Sequence, residues 1–224
     1  MPPGKITSIT AQAHDSQRVN LFIDGEFALG LSLTTLAETG LALGLELDEA
    51  AWAQLEAAVA AERALSAAAR LLAARPRSTA EIRQRLGRKA FDPDAIEQAI
   101  ARLDALGLLD DAAFSRYWVE NRQNFRPRGA NALRDELRRK GVDRATITEA
   151  LAATDADPDA EAARAEAVAR TALRRYATSP DRPTFERRLG GLLQRRGFSL
   201  NVIRPMLAIL WNELHAQPDA QEER

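Results

Sequence analysis

Five apolar positions between residues 82 and 100 keep one register through three copies. Ile82, Leu86, Phe91, Ile96 and Ile100 map onto Leu133, Leu137, Val142, Ile147 and Leu151 at an offset of 51. A further 56 residues lands on Leu189, Leu193, Phe198, Ile203 and Leu207. The first two of each set stand four apart, as do the last two, which is one face of a helix each time. The polar punctuation keeps step. Arg75-Pro76-Arg77 becomes Arg126-Pro127-Arg128 and then Arg182-Pro183-Thr184, while Lys89 becomes Lys140 and then Arg196. A fixed offset over so many positions marks a structural repeat. The pattern predicts a mainly α chain of three tandem three-helix repeats, 62–109, 110–153 and 157–216, in an elongated array. A small α+β module, 1–61, precedes them.

Start and stop signals place the helices. The opening helix of the first repeat is expected to bury Leu65, Ala68, Ala69 and Leu72. The Arg75-Pro76 step ends it, because the residue before proline avoids the helical region. Ser78-Thr79-Ala80-Glu81 reads as a capping box, and Asp92-Pro93 as an N-cap followed by proline at the first helical position. The second repeat opens at Asp110-Asp111, with Phe114, Tyr117 and Trp118 as its large anchors. Its second helix runs from about Ala130 to Lys140, Gly141 suits the left-handed position beyond it, and Asp143 caps the next. The third repeat begins with Asp157-Pro158 and a long helix, about Asp159–Tyr176. A Ser-Pro-Asp-Arg-Pro loop, a helix over Phe185–Arg196 and a last helix carrying Ile203, Leu207, Leu210 and Trp211 follow. Pro205 inside that last helix costs about 3 kcal/mol and predicts a kink or a later start. The tail after Gln217 is expected to fray.

Residues 5–31 alternate instead. Val19, Leu21 and Ile23 interleave with Asn20, Phe22 and Asp24; Asp24-Gly25 is a two-residue hairpin signal, and Phe27, Leu29 and Leu31 alternate beyond it. A lone hairpin is marginal in water, so the module must lean on helices near Leu33–Glu38, between Ser32 and Gly40, and Asp48–Val59.

Composition narrows the function classes. Much of the 46% hydrophobic content is alanine and aromatics are only 5%, so each repeat depends on its neighbours for a core. A net charge of −1 excludes a generic polycation. Its distribution matters more: residues 1–61 are net −6, residues 62–148 net +6 and the remainder net −1. Without cysteine there are no disulfides, thiolate nucleophiles or thiolate-bound zinc. No apolar run nears the ~18 residues of a membrane span and the N-terminus lacks a signal-peptide core, so the cytoplasm is the expected location and no membrane partner is expected.

Catalytic chemistry is not assembled. His14 and His215 stand in unrelated settings, no phosphate-binding glycine loop occurs, and most carboxylates sit at helix starts, where the macrodipole explains them. The chain reads as non-enzymatic, with no cofactor or metal. The candidate residues are basic. Arg88, Arg139 and Arg195, with Lys89, Lys140 and Arg196, recur in the last turn of each second helix, where they serve either to satisfy the helix end or to meet a partner. Arg75, Arg77, Arg126 and Arg128 flank prolines in short loops with no evident carbonyl-capping role, and Arg122 precedes the second pair. Arginines on stiff loops suit carboxylates or phosphates. Phe114 and Trp118 read as core.

These motifs together resemble a known family. Gly107–Asp111 (GLLDD) before Phe114 and Trp118, Arg126–Gly129 (RPRG), and L-x-x-E-L-x-x-K-G-V over Leu133–Val142 resemble the RecX regulators of the RecA recombinase. Arg75–Ile82 and Arg195–Ile203 are similar to the same family, so the likeness spans about 62–211. Ala90 departs from it, standing where a glycine often follows the basic residue. The resemblance implies a protein that binds RecA and its single-stranded-DNA filament and inhibits ATP hydrolysis, strand exchange and co-protease activity, thereby modulating recombinational repair and the SOS response. The basic residues Arg75, Arg77, Arg122, Arg126, Arg128, Arg139 and Lys140 are then the candidate RecA or filament contacts, the acidic first 61 residues and the net charge point to weak DNA contact, and a monomer whose separate repeats clamp neighbouring RecA subunits bivalently is the expected mode of action. An elongated array of this length would exceed the radius of gyration of about 17 Å expected for a compact chain. A direct DNA-binding helical module and a helical scaffold for another protein are the alternatives.

Overall fold

The computed structural model describes residues 3–154 and 159–215. The expected Asp157-Pro158 helix start and the tail after Gln217 lie outside the described residues. The chain divides into two compact units, Met1–Asp110 and Asp111–Arg224.

In the first unit, strands β1 (Gly4–Gln12), β2 (Asp15–Ile23), β3 (Glu26–Ser32) and the short β4 (Glu46–Leu47) form an antiparallel sheet in the order β3-β2-β1-β4. Asp24 and Gly25 turn the β2–β3 hairpin with φ of 50° and 87°, the pair of positive values that matches strand twist. Helix α1 (Leu33–Thr39) is capped by Ser32, whose hydroxyl accepts from the Thr35 amide at 3.0 Å, and ends at Gly40 with φ 64°.

Helix α2 (Glu49–Ala74) is a single element of 26 residues. Separate helices were expected on either side of residue 61; one helix instead serves both the sheet and the first repeat. Its N-terminal half places Trp52, Leu55 and Val59 against Ile6, Leu21 and Leu31 of the sheet. Its C-terminal half packs with α3 (Thr79–Gly87) and α4 (Pro93–Ala105). The buried stripe there is Ala64, Ala67 and Ala68; Ala69 is exposed, and Leu65 and Leu72 lie half-buried at its edge. Small side chains on this face, with Ala95 and Ala99 of α4 in the same core, let the helices approach closely.

Glu62 ties the two parts of this unit together. Its carboxylate accepts from Arg18 Nη1, from the Ser32 amide at 2.9 Å and from the Thr35 hydroxyl at 2.7 Å. Burial pushes the carboxyl up, but the donors from Ser32, Thr35 and Arg18 together outweigh it and hold it below the usual carboxylate range.

The second unit holds two repeats. Helices α5 (Asp111–Phe125), α6 (Ala130–Arg139) and α7 (Arg144–Thr154) enclose Phe114, Val119, Leu133, Leu137, Val142, Ile147 and Leu151. Tyr117, expected as an anchor, is 41% exposed; Val119 takes the buried position instead. Helices α8 (Ala160–Tyr176), α9 (Arg182–Arg195) and α10 (Leu200–His215) enclose Phe185, Leu189, Leu193, Phe198, Ile203, Leu207 and Leu210. Helix α9 starts at Arg182, earlier than the expected Phe185, because Asp181 accepts the Thr184 amide at 2.7 Å and Pro183 fits the first turn. Helix α10 begins at Leu200 and runs through Pro205, so the proline does not delay it; Pro205 is exposed while Ile203, Met206 and Leu207 are buried.

The same backbone solution follows the second helix of every repeat. Ala90, Gly141 and Gly197 occupy equivalent positions with φ of 57°, 76° and 85°. The two repeats of the second unit also meet backbone to backbone. Gly129 N–H donates to the Arg196 carbonyl at 2.9 Å, and Asn131 N–H to the Gly197 carbonyl at 3.2 Å. A Cβ on Gly129 would come within 2.3 Å of the Gly197 carbonyl oxygen.

Candidate partner interface

Helix-ending loops position the basic residues, and their neighbours decide which stay available. In the first unit, the Ser78 hydroxyl caps α3 by accepting the Glu81 amide at 3.2 Å. The Glu81 carboxylate in turn grips Arg75 with both oxygens, at 3.1 and 3.3 Å. Arg77 is only 9% exposed, and its Nε donates to the Leu71 carbonyl near the end of α2 at 3.0 Å. Arg77 therefore does cap a helix carbonyl, contrary to the expectation for these loop arginines. Its Nη1 is buried without a hydrogen-bond partner, and burial, followed by the charges of Arg75 and Arg85, lowers its proton affinity.

In the second unit, Arg122, Arg128 and Lys140 converge on Trp118 and Glu136. Glu136 lies on α6 between Leu133 and Leu137, on the buried face, and is 9% exposed. Its Oε2 accepts from Trp118 Nε1 at 2.9 Å and from Arg122 Nε at 2.7 Å, and Arg128 Nε lies 3.5 Å from Oε1. The Arg122 guanidinium lies 4.4 Å from the Trp118 ring centroid and Lys140 Nζ lies 4.0 Å from it. Two cations over one ring, which itself donates to a buried carboxylate, fix the indole and satisfy its polar edge. Phe114 beside it is buried, as expected of core, whereas Trp118 is half-buried and belongs to this cluster.

Arg126 and Arg139 are different. Both are exposed, and neither has an ion pair among the described residues. The repeat explains Arg126: Arg75 meets Glu81, but the equivalent of Glu81 is Ala132, and the equivalent Arg182 of the third copy meets Glu186 at 2.7 Å. Glu136 was missed as an organising residue, although an acidic side chain three after Leu133 and one before Leu137 falls on the apolar face. Among the described residues, no group of three His, Cys, Asp or Glu could hold a metal ion, and no helix is long and apolar enough to cross a membrane.

Comparison with known proteins matches these elements in chain order. The RecX N-terminal domain matches residues 4–48, and the first, second and third RecX three-helix domains match 64–103, 110–151 and 159–207. The regulatory protein RecX of Mycobacterium avium (strain 104) is 42% identical over 141 residues, 63% of this chain and 80% of that protein. That of Mycolicibacterium smegmatis is 37% identical over 151 residues, 66% and 79% of the two chains. A crystal structure of regulatory protein RecX superposes with a TM-score of 0.79 at 29% identity, covering 90% of this chain and 98% of that one. RecX from Lactobacillus salivarius shares the fold, with a TM-score of 0.59 at 21% identity over 67% of this chain and 96% of that one. With its strand module and all three helical domains matched in order, the chain belongs to the RecX family of regulatory proteins.

Proposed function

We propose that this protein is a non-enzymatic regulator that binds RecA and the RecA–single-stranded-DNA filament and lowers its ATPase, strand-exchange and co-protease activities. Separate repeats meeting neighbouring RecA subunits would raise avidity through effective concentration rather than through one tight site. Arg126 and Arg139 are the contact residues in this reading. Arg122, Arg128 and Lys140 support them by holding the Trp118–Glu136 cluster, and Arg75 and Arg77 by bracing the turn before α3. The observation that carries the reading is Arg126: an exposed guanidinium without a carboxylate partner among the described residues, on a proline loop whose Gly129 end is hydrogen-bonded to Arg196. An exposed arginine on a stiff loop presents its charge to carboxylates from a backbone already fixed, so only side-chain entropy is lost on binding.

Labelled protein mixed with RecA filaments on single-stranded DNA, and separately with the same DNA alone, tests this. Tight binding to filaments with weak binding to bare DNA is expected. Equal, steeply salt-dependent binding to both would assign the chain to direct DNA binding.

A further inference from the structure

We propose that a cationic groove formed by α8, α9 and the Pro127 loop docks an acidic peptide segment bearing an apolar side chain. This goes beyond the RecA reading and uses neither of its contact residues, Arg126 and Arg139, although the Pro127 loop and Arg196 belong to both. The groove encloses about 540 Å³. Arg174 and Arg175 reach it from the last turn of α8, and Arg196 from the cap of α9. No Asp or Glu is among the lining residues, and none of the three arginines forms an ion pair among the described residues.

Helix-end electrostatics account for a cation in a last turn, at about 0.3–1 kcal/mol each. They do not account for arginines from two helices converging on one concave surface. The main chain of Arg196 is also fixed, since its carbonyl accepts the Gly129 amide at 2.9 Å. Pro127, Val168 and Leu192 supply apolar lining beside the charge. Guanidinium groups match carboxylates in paired, charge-assisted hydrogen bonds, and the apolar lining suits an aliphatic side chain carried between them. A nucleic-acid strand would use the charge but would need aromatic faces for its bases, and no aromatic residue lines the groove.

The test is fluorescence anisotropy with a labelled acidic heptapeptide carrying a central leucine, its glycine-centred counterpart and a short oligothymidylate. Saturable binding of the leucine peptide is expected. The combined substitution Arg174→Ala, Arg175→Ala, Arg196→Ala should weaken it at least about tenfold, as loss of charge-assisted bonds implies. Ala167→Glu, at an exposed lining position of α8, would place a carboxylate of the protein in the groove and should weaken it similarly; this variant decides the matter if the triple one does not fold. The glycine peptide should bind more weakly, and Arg139→Glu, remote in sequence from every lining residue, should leave peptide binding unchanged whatever it does to RecA. Absent saturable binding, or affinity unmoved by Ala167→Glu, overturns the proposal. So does oligothymidylate binding that falls by the same factor in the variants, which assigns the groove to phosphates.

Discussion

The amide of Gly129 donates to the carbonyl of Arg196 at 2.9 Å, so the loop that carries Arg126 is fastened to the end of α9 in the next repeat. That approach leaves no room for a side chain on Gly129. Gly129→Ala should therefore force the two backbones apart and destabilise the second unit by about 1–3 kcal/mol, the usual range for overpacking. Urea unfolding of the variant measures this; stability within experimental error of the wild type would mean the contact gives way at no cost.

Glu136 answers two donors and a second guanidinium from a buried position. Removing it strands Arg122 and the Trp118 N–H. Breaking a fully buried pair costs about 3–5 kcal/mol, and because Arg122 and Arg128 keep some solvent access, Glu136→Ala should cost about 2–3 kcal/mol. Glu136→Gln, which retains an acceptor, should cost less. Trp118 fluorescence, with Trp52 and Trp211 replaced by phenylalanine, should shift to the red in Glu136→Ala.

Ala90 adopts φ 57° at the position that Gly141 and Gly197 fill in the other copies. A left-handed conformation costs a non-glycine residue about 1–2 kcal/mol, partly offset by the smaller entropy alanine loses on folding. Ala90→Gly should raise stability by about 0.5–1 kcal/mol, visible as a higher midpoint in thermal unfolding of residues 1–110 within the intact chain.

The folded-state proton affinity of Glu62 is depressed, so its stabilising effect is full above the unfolded carboxyl pKa of about 4.3 and is lost as pH falls through the folded value. Glu62→Gln should reduce stability at neutral pH by about 1–3 kcal/mol and flatten the fall in stability below about pH 4.3. A variant with an unchanged acid limb would place the pH sensitivity elsewhere.

Much of this fold was legible from the repeat. Of the fifteen apolar positions aligned through three copies, all but the half-buried Phe91 are buried. Caps at Ser32, Ser78, Asp92 and Asp143 followed from local hydrogen-bonding chemistry that needs only neighbouring residues. What escaped were relations between distant residues. The continuity of α2 depends on the sheet and the first repeat sharing one helix, and alanine-rich sequence carries no mark of where one partner ends. β4 is two residues long and exists because Gly4 and Lys5 offer an edge. The basic site was read by residue type alone. Arginines that looked equivalent separate, among the described residues, into paired and unpaired ones through Glu81, Glu136 and the alanine at 132, all outside the loops themselves.

The most direct measurement is RecA ATPase on single-stranded DNA, titrated with the wild-type protein and with the Arg126→Glu, Arg139→Glu variant. Wild type should inhibit in a dose-dependent manner, and the folded double variant should need at least about tenfold more protein, the scale set by losing charged interface contacts. Inhibition by the variant at wild-type doses would contradict the assignment of these arginines, and no inhibition by the wild type at saturating dose would contradict the RecA reading itself.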